Sequence, residues 1–150
     1  MDAAWLDVLE KMPLFQGIGR EDLTQLMGCV NPLILNYDAH ECIAVAGDSF
    51  TGIGVVLKGC VTVSRDNAAG ERVILSLLGP GDMFGEMAAF SGKRSWPATV
   101  TAKEEAIIMT LPPDMIISGC YKACERHRQM TQNMLGILTK KALRLNEKVG

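Results

Sequence analysis

The sequence predicts a mainly β fold, an antiparallel sandwich or jelly roll, with short helices before it and a long helix after it. Three observations carry that expectation. Between Leu33 and Leu111 the apolar residues fall into short alternating or continuous runs separated by glycine-containing turns. Before Asn31, and again after Pro112-Pro113, the apolar spacing becomes helical. The chain has 150 residues, 48% hydrophobic and 21% charged, which suits a single soluble domain with one core.

Taken in order, Ala3 to Met12 forms an amphipathic helix whose apolar positions are Trp5, Leu6, Val8, Leu9 and Met12. Pro13-Leu14-Phe15 breaks it, and Gly17 and Gly19 mark a turn. Arg20 to Val30 is a second helix with Leu23, Leu26, Met27 and Val30 on one stripe, stopped by Asn31-Pro32. Strands follow at Leu33 to Asn36 and Cys42 to Val45, then at Ile53 to Leu57 and Val61 to Ser64. Lys58-Gly59 between the latter two predicts a compact hairpin, and Arg65 to Gly70 a polar hairpin tip. Val73 to Leu78 is apolar on both faces and is expected to be covered on each side. Ala98 to Ala102 and Ala106 to Leu111, linked by Lys103-Glu104-Glu105, complete seven or eight short strands.

The stretch from Leu78 to Ala102, LGPGDMFGEMAAFSGKRSWPATVTA, organises the rest. It predicts a strand, a tight turn, one helical turn, a polar loop and another strand. Gly85 leaves room for a ligand near the main chain, and the helical turn beginning at Glu86 presents free N–H groups to an anion. Glu86 is itself an acceptor suited to a sugar hydroxyl, so a sugar phosphate would use both features. Alternatively, Glu86 is only a carboxylate stabilised at a helix N-terminus.

F-G-E-M-A-A-F followed by A-T-V-T-A resembles the phosphate-binding cassette of cyclic-nucleotide-binding domains, whose bacterial branch is the Crp–Fnr superfamily of transcription regulators. Gly47, Gly59 and Gly79-Pro80-Gly81 fall where that family's β-roll keeps glycines, so the resemblance covers nearly the whole chain. It implies a double-stranded β-roll with short N-terminal helices and a long C-terminal dimerisation helix. It also implies ligand contacts from Gly85, Glu86, Met87, Ala88 and Ala89, with Arg94, Ser95 and Trp96 from the following loop. In members that bind cyclic AMP, an arginine and a small residue directly precede the A-x-V-x-A strand. Here Trp96 and Pro97 stand there, and Arg94 and Ser95 lie two residues earlier. Tryptophan cannot supply the charge-assisted phosphate contact, and proline has no N–H to offer. The preferred reading is a pocket repurposed for another small effector or a redox signal, with Trp96 as an aromatic wall. The alternatives are cyclic AMP or cyclic GMP held by Glu86 and a displaced Arg94, or a ligand-free dimerisation module.

After the paired prolines, Met115 to Cys124 predicts a helix interrupted near Gly119, and Glu125 to Val149 a long one. In the latter, Thr131, Leu135, Leu138, Ala142, Leu145 and Val149 step by four and three, the spacing of a coiled-coil seam. Met130, Met134 and Ile137 form a neighbouring stripe. One stripe suffices for packing on the same chain, so a second predicts a homodimer through this helix. The expected division is residues 1–32 helical entry, 33–111 β-roll and 112–150 C-terminal helices. The family's DNA-reading winged helix would begin beyond Gly150, so DNA contact is expected only through a domain outside this chain.

Composition narrows the remaining classes. A net charge of −2 announces no nucleic-acid surface, and no apolar run spans a bilayer, so a cytoplasmic address is expected. Five cysteines without C-x-x-C spacing argue against a disulfide framework and a zinc finger. Cys42 and Cys60 are expected as buried small hydrophobes, and Cys120 and Cys124, one helical turn apart, as buried or idle thiols with a redox or metal role as the alternative. His40 is expected to be solvated and His127 to lie on the surface between Arg126 and Arg128. With two histidines, neither in a motif, no metal site of the cupin kind can be assembled and no catalytic residues are assigned.

Overall fold

The helices in this computed structural model, which describes residues 1–92, 94–117 and 125–149, are α1 (Ala3–Glu10), α2 (Arg20–Val30), the single turn α3 (Glu86–Ala89), α4 (Pro113–Ile117) and α5 (Glu125–Val149). The strands are β1 (Leu33–Tyr37), β2 (Cys42–Ala44), β3 (Ile53–Lys58), β4 (Val61–Asp66), β5 (Arg72–Leu78), β6 (Met83–Phe84), β7 (Thr99–Ala102) and β8 (Ala106–Leu111). They divide into two compact units, Met1–Asn31 with Asp114–Gly150, and Pro32–Pro113.

In the strand unit, β1-β8-β3-β6 and β2-β7-β4-β5 form two four-stranded antiparallel sheets. Val61, Val100 and Ala102 from one sheet meet Val56, Phe84, Ala106 and Ile108 from the other, the interior of a β-roll. The predicted β3–β4 hairpin does not form, because the two strands lie in different sheets. Gly59, at φ +87°, is a corner: a Cβ there would stand 2.2 Å from the Glu105 carbonyl oxygen. Only glycine lets the chain cross from sheet to sheet this close to the β7–β8 turn. The hairpin tip between β4 and β5 does form, closed by Asn67, whose backbone and side chain both bond to Glu71 or Ala69.

Two further expectations are corrected. β5 is not covered on both faces; it is an edge strand, and Val73, Ile74, Leu75 and Leu77 are all exposed. A bulge at Leu75 shifts its register against β4, as Val63 pairs with Ser76 but Ser64 with Ile74. Cys42 is exposed rather than buried, because its register opposite Thr101 puts it on the outer face of the sheet. Cys60 is half-buried in the corner after Gly59.

In the helical unit, the Asp2 carboxylate accepts the Ala4 N–H and caps α1, and Asn31 ends α2 in the left-handed conformation. Arg20 ties the two helices by donating to Asp7 and to the Ala3 carbonyl. α5 packs on the 3₁₀ turn Pro13–Phe15, where the Asn133 amide donates to the carbonyls of Leu14 and Gln16 at 2.9 and 2.8 Å. His127 is not on the surface: it is 2% exposed. Its helical phase, three residues before Met130 and seven before Met134, puts it on the buried stripe with them. Burial lowers its pKa, Arg126 adds to that, and hydrogen bonding to the Met115 backbone opposes it. Along the second stripe Leu135, Ala142 and Leu145 are exposed and Thr131 and Leu138 half-buried, while Val149 lies outside the described side chains. Cys120 and Cys124 lie outside the described residues.

Candidate functional site

The cassette begins with a turn. Gly79-Pro80-Gly81-Asp82 closes through the Asp82 N–H to the Gly79 carbonyl at 3.0 Å, with Gly81 at φ +89°. Proline followed by a positive-φ glycine is the composition of a type II turn. The Phe84 ring then lies directly over Gly54, where a Cβ would stand 2.1 Å from the Phe84 Cζ. Gly85, at φ +88°, opens α3, and the Ala89 N–H bonds back to its carbonyl at 2.9 Å. The turn directs Glu86 and Ala88 inward, at 4% and 5% exposure, and leaves Met87 exposed and Ala89 half-buried.

The loop that follows is held by the segment after Gly47. Phe50 N–H donates to the Arg94 carbonyl, Trp96 N–H to the Asp48 carbonyl and Gly47 N–H to the Trp96 carbonyl, each at 2.9 Å. Ser49 and Ser95 face each other in this short ladder. Its register sends Trp96 into the core and leaves Arg94 and Pro97 exposed, with Ser95 half-buried. The indole lies 4.6 Å from Phe50 and 6.0 Å from Phe84 between ring centroids, both in tilted contact. A Cβ on Gly85 would stand 2.9 Å from Trp96 Cζ3 and 3.0 Å from Phe50 Cε2.

Gly85, Trp96 and Phe50 are therefore brought together, beside the inward-facing Glu86, while Arg94 stays at the exposed end of the ladder. Sequence reasoning missed Phe50 and Asp48. The available signal was a lone aromatic in the otherwise polar Gly47-Asp48-Ser49-Phe50-Thr51-Gly52 stretch. Chemically the site couples one buried carboxylate to an aromatic enclosure, without an inward-facing cation among the described residues just named. Among the described residues no group of three or more histidine, cysteine or acidic side chains is placed to hold a metal ion. No helix among them is long and apolar enough to cross a membrane.

A β-roll whose glycine-opened helical turn precedes an A-x-V-x-A strand defines a cyclic-nucleotide-binding-type domain. The chain belongs to the cyclic nucleotide-binding domain family, which matches residues 34–122, and is of the Crp–Fnr kind. It is 25% identical over 104 residues to the CRP-like cAMP-activated global transcriptional regulator of Mycobacterium tuberculosis, covering 69% of this chain and 46% of that one. It is 31% identical over 100 residues to the cyclic AMP receptor protein of Thermus thermophilus, covering 66% and 44%. Each match thus spans under half the length of the curated relative. Among solved structures, the Thermus thermophilus catabolite activator protein superposes with a TM-score of 0.78 at 23% identity, over 91% of this chain and 61% of that one. The sensor domain of the transcriptional regulator DNR from Pseudomonas aeruginosa gives 0.73 at 20% identity, over 95% and 89%.

Proposed function

We propose that this chain is the effector-sensing part of a Crp–Fnr type transcription regulator, with a cassette adapted to an effector other than a cyclic nucleotide. The observation that carries this reading is the buried Trp96 indole, closed on Gly85 and Phe50. A cyclic phosphate bound here would need a cation close to the helical turn, and an indole supplies none. Glu86 and the aromatic enclosure suit a small molecule with a hydroxyl or N–H donor and a flat apolar body. The expected mechanism is a population shift. Effector binding favours one packing of an α5-mediated dimer, with coupling of ~1–3 kcal/mol, and so one spacing of DNA-reading modules elsewhere in the regulator.

A second reading, cyclic AMP or cyclic GMP held by Glu86 and Arg94, draws on the two relatives named for cyclic AMP. Calorimetric titration separates the two. The first predicts no tight binding of either nucleotide to the native chain, and a gain of cyclic AMP binding in the double variant Trp96→Arg with Pro97→Ser. Tight binding to the native chain, abolished by both Glu86→Ala and Arg94→Ala, would reject it.

A further inference from the structure

The outer face of the β2-β7-β4-β5 sheet carries a groove separate from the cassette. Since Val61, Val100 and Ala102 face the core, the alternate residues Thr62 and Thr101 face outward. Strand register lines up Leu77, Thr62, Thr101 and Cys42 in one row across the four strands. Along this row lies a groove of about 420 Å³, lined by His40, Thr62, Ile74, Leu77, Thr101 and Lys103. That is within the size range of small-molecule sites.

Three features of the lining are complementary to one kind of guest. One wall is aliphatic, with Ile74 and Leu77 63% and 57% exposed. The floor carries hydroxyls that the protein hardly uses. Thr62 Oγ1 donates to the Thr101 carbonyl only at 3.5 Å, and Thr101 Oγ1 is buried with no hydrogen-bond partner among the described residues. Buried hydroxyls are nearly always partnered, and a valine would fill the same volume without one. Bringing the Thr101 hydroxyl to a guest would take a change of χ1 rotamer. The rim carries one lysine: the backbone N–H of Lys103 donates to the Cys60 carbonyl, and beside it the backbone N–H of His40 donates to the Ala102 carbonyl. None of the described lining residues is acidic, and the Glu41 carboxylate is engaged with the Asp38 N–H in its own turn.

We propose that this groove binds an aliphatic monocarboxylate. The carboxylate sits on Lys103 and the threonine hydroxyls, and the hydrocarbon tail lies along Ile74 and Leu77. This site does not depend on what the cassette holds. Titration of octanoate into the intact chain, followed by calorimetry, is expected to give saturable binding at one site per chain. Lys103→Gln and Thr101→Val should each weaken it about tenfold or more, the loss expected for a charge-assisted or buried hydrogen bond. Lys11→Gln, which removes an exposed lysine on the helical unit, should leave it unchanged. Octanol, lacking the carboxylate, should bind at least about tenfold more weakly than octanoate. Equal binding of octanoate to native protein and to Lys103→Gln would overturn the proposal, as would no saturable binding. Loss of binding in Glu86→Gln with none in Lys103→Gln would assign octanoate to the cassette instead. Dissociation of a dimer by Leu77→Asp, with octanoate inert, would make this face an interface between copies and equally overturn it.

Discussion

Gly85 is held at φ +88°, and a Cβ there would meet the Trp96 and Phe50 rings at 2.9 and 3.0 Å, so its environment leaves little space for a side chain. Alanine there would meet the left-handed penalty of ~1–2 kcal/mol together with an overpacking cost of ~1–3 kcal/mol. Gly85→Ala is therefore expected to lower stability by roughly 2–5 kcal/mol in urea unfolding, with the slope unchanged. A loss well under about 1 kcal/mol would show that Trp96 and Phe50 do not seat on this position in solution. The same packing explains why a glycine opens α3 in this chain whether or not a ligand approaches it. Close approach of the main chain serves the Trp96 indole here.

At the scale of elements, α5 carries two apolar stripes with different fates. Met130 and Met134 are buried, whereas Leu135 and Leu145 of the second stripe are 61% and 57% exposed. We propose that this exposed stripe is where a second copy of the chain packs. The double variant Leu135→Lys with Leu145→Lys is expected to convert a dimer to a monomer in analytical ultracentrifugation while keeping its helical circular dichroism. A native chain that sediments as a monomer at high concentration would dismiss α5 as the dimerisation element. The edge strand β5 also carries exposed apolar residues, and a bulge at Leu75 is a feature that limits edge-to-edge pairing by twisting a strand.

For the whole molecule, His127 links fold stability to pH. The fold disfavours its charged form, so its pKa is lowered from the ordinary 6.5. Between that lowered value and 6.5 the unfolded chain binds more protons than the folded one, so stability rises with pH there. The contribution is complete above 6.5 and is lost as pH falls toward and through the lowered folded value. Urea midpoints measured at about pH 7.5 and about pH 5.5 should fall on acidification, and by less in His127→Gln. An identical fall in that variant would assign the dependence to the carboxylates.

Much of this molecule was legible from local pattern alone. The boundaries of α2 and α5, the strand runs and the glycine-opened turn at Gly85 follow from periodicity and backbone chemistry, which act over a few residues. Even the burial of His127 was present in its helical phase, though its arginine neighbours obscured it. Tertiary structure alone decided which strands share a sheet. Lys58-Gly59 suits a hairpin and a corner equally, and only the approach of the Glu105 carbonyl selects the corner. Tertiary structure likewise decided where Trp96 points, because the ladder that turns it inward comes from Gly47, Asp48 and Phe50, far away in sequence. Sequence pattern thus determined the elements and the family likeness of the cassette. Non-local pairing determined what fills it, since burial is a property of neighbours that the chain brings together only on folding.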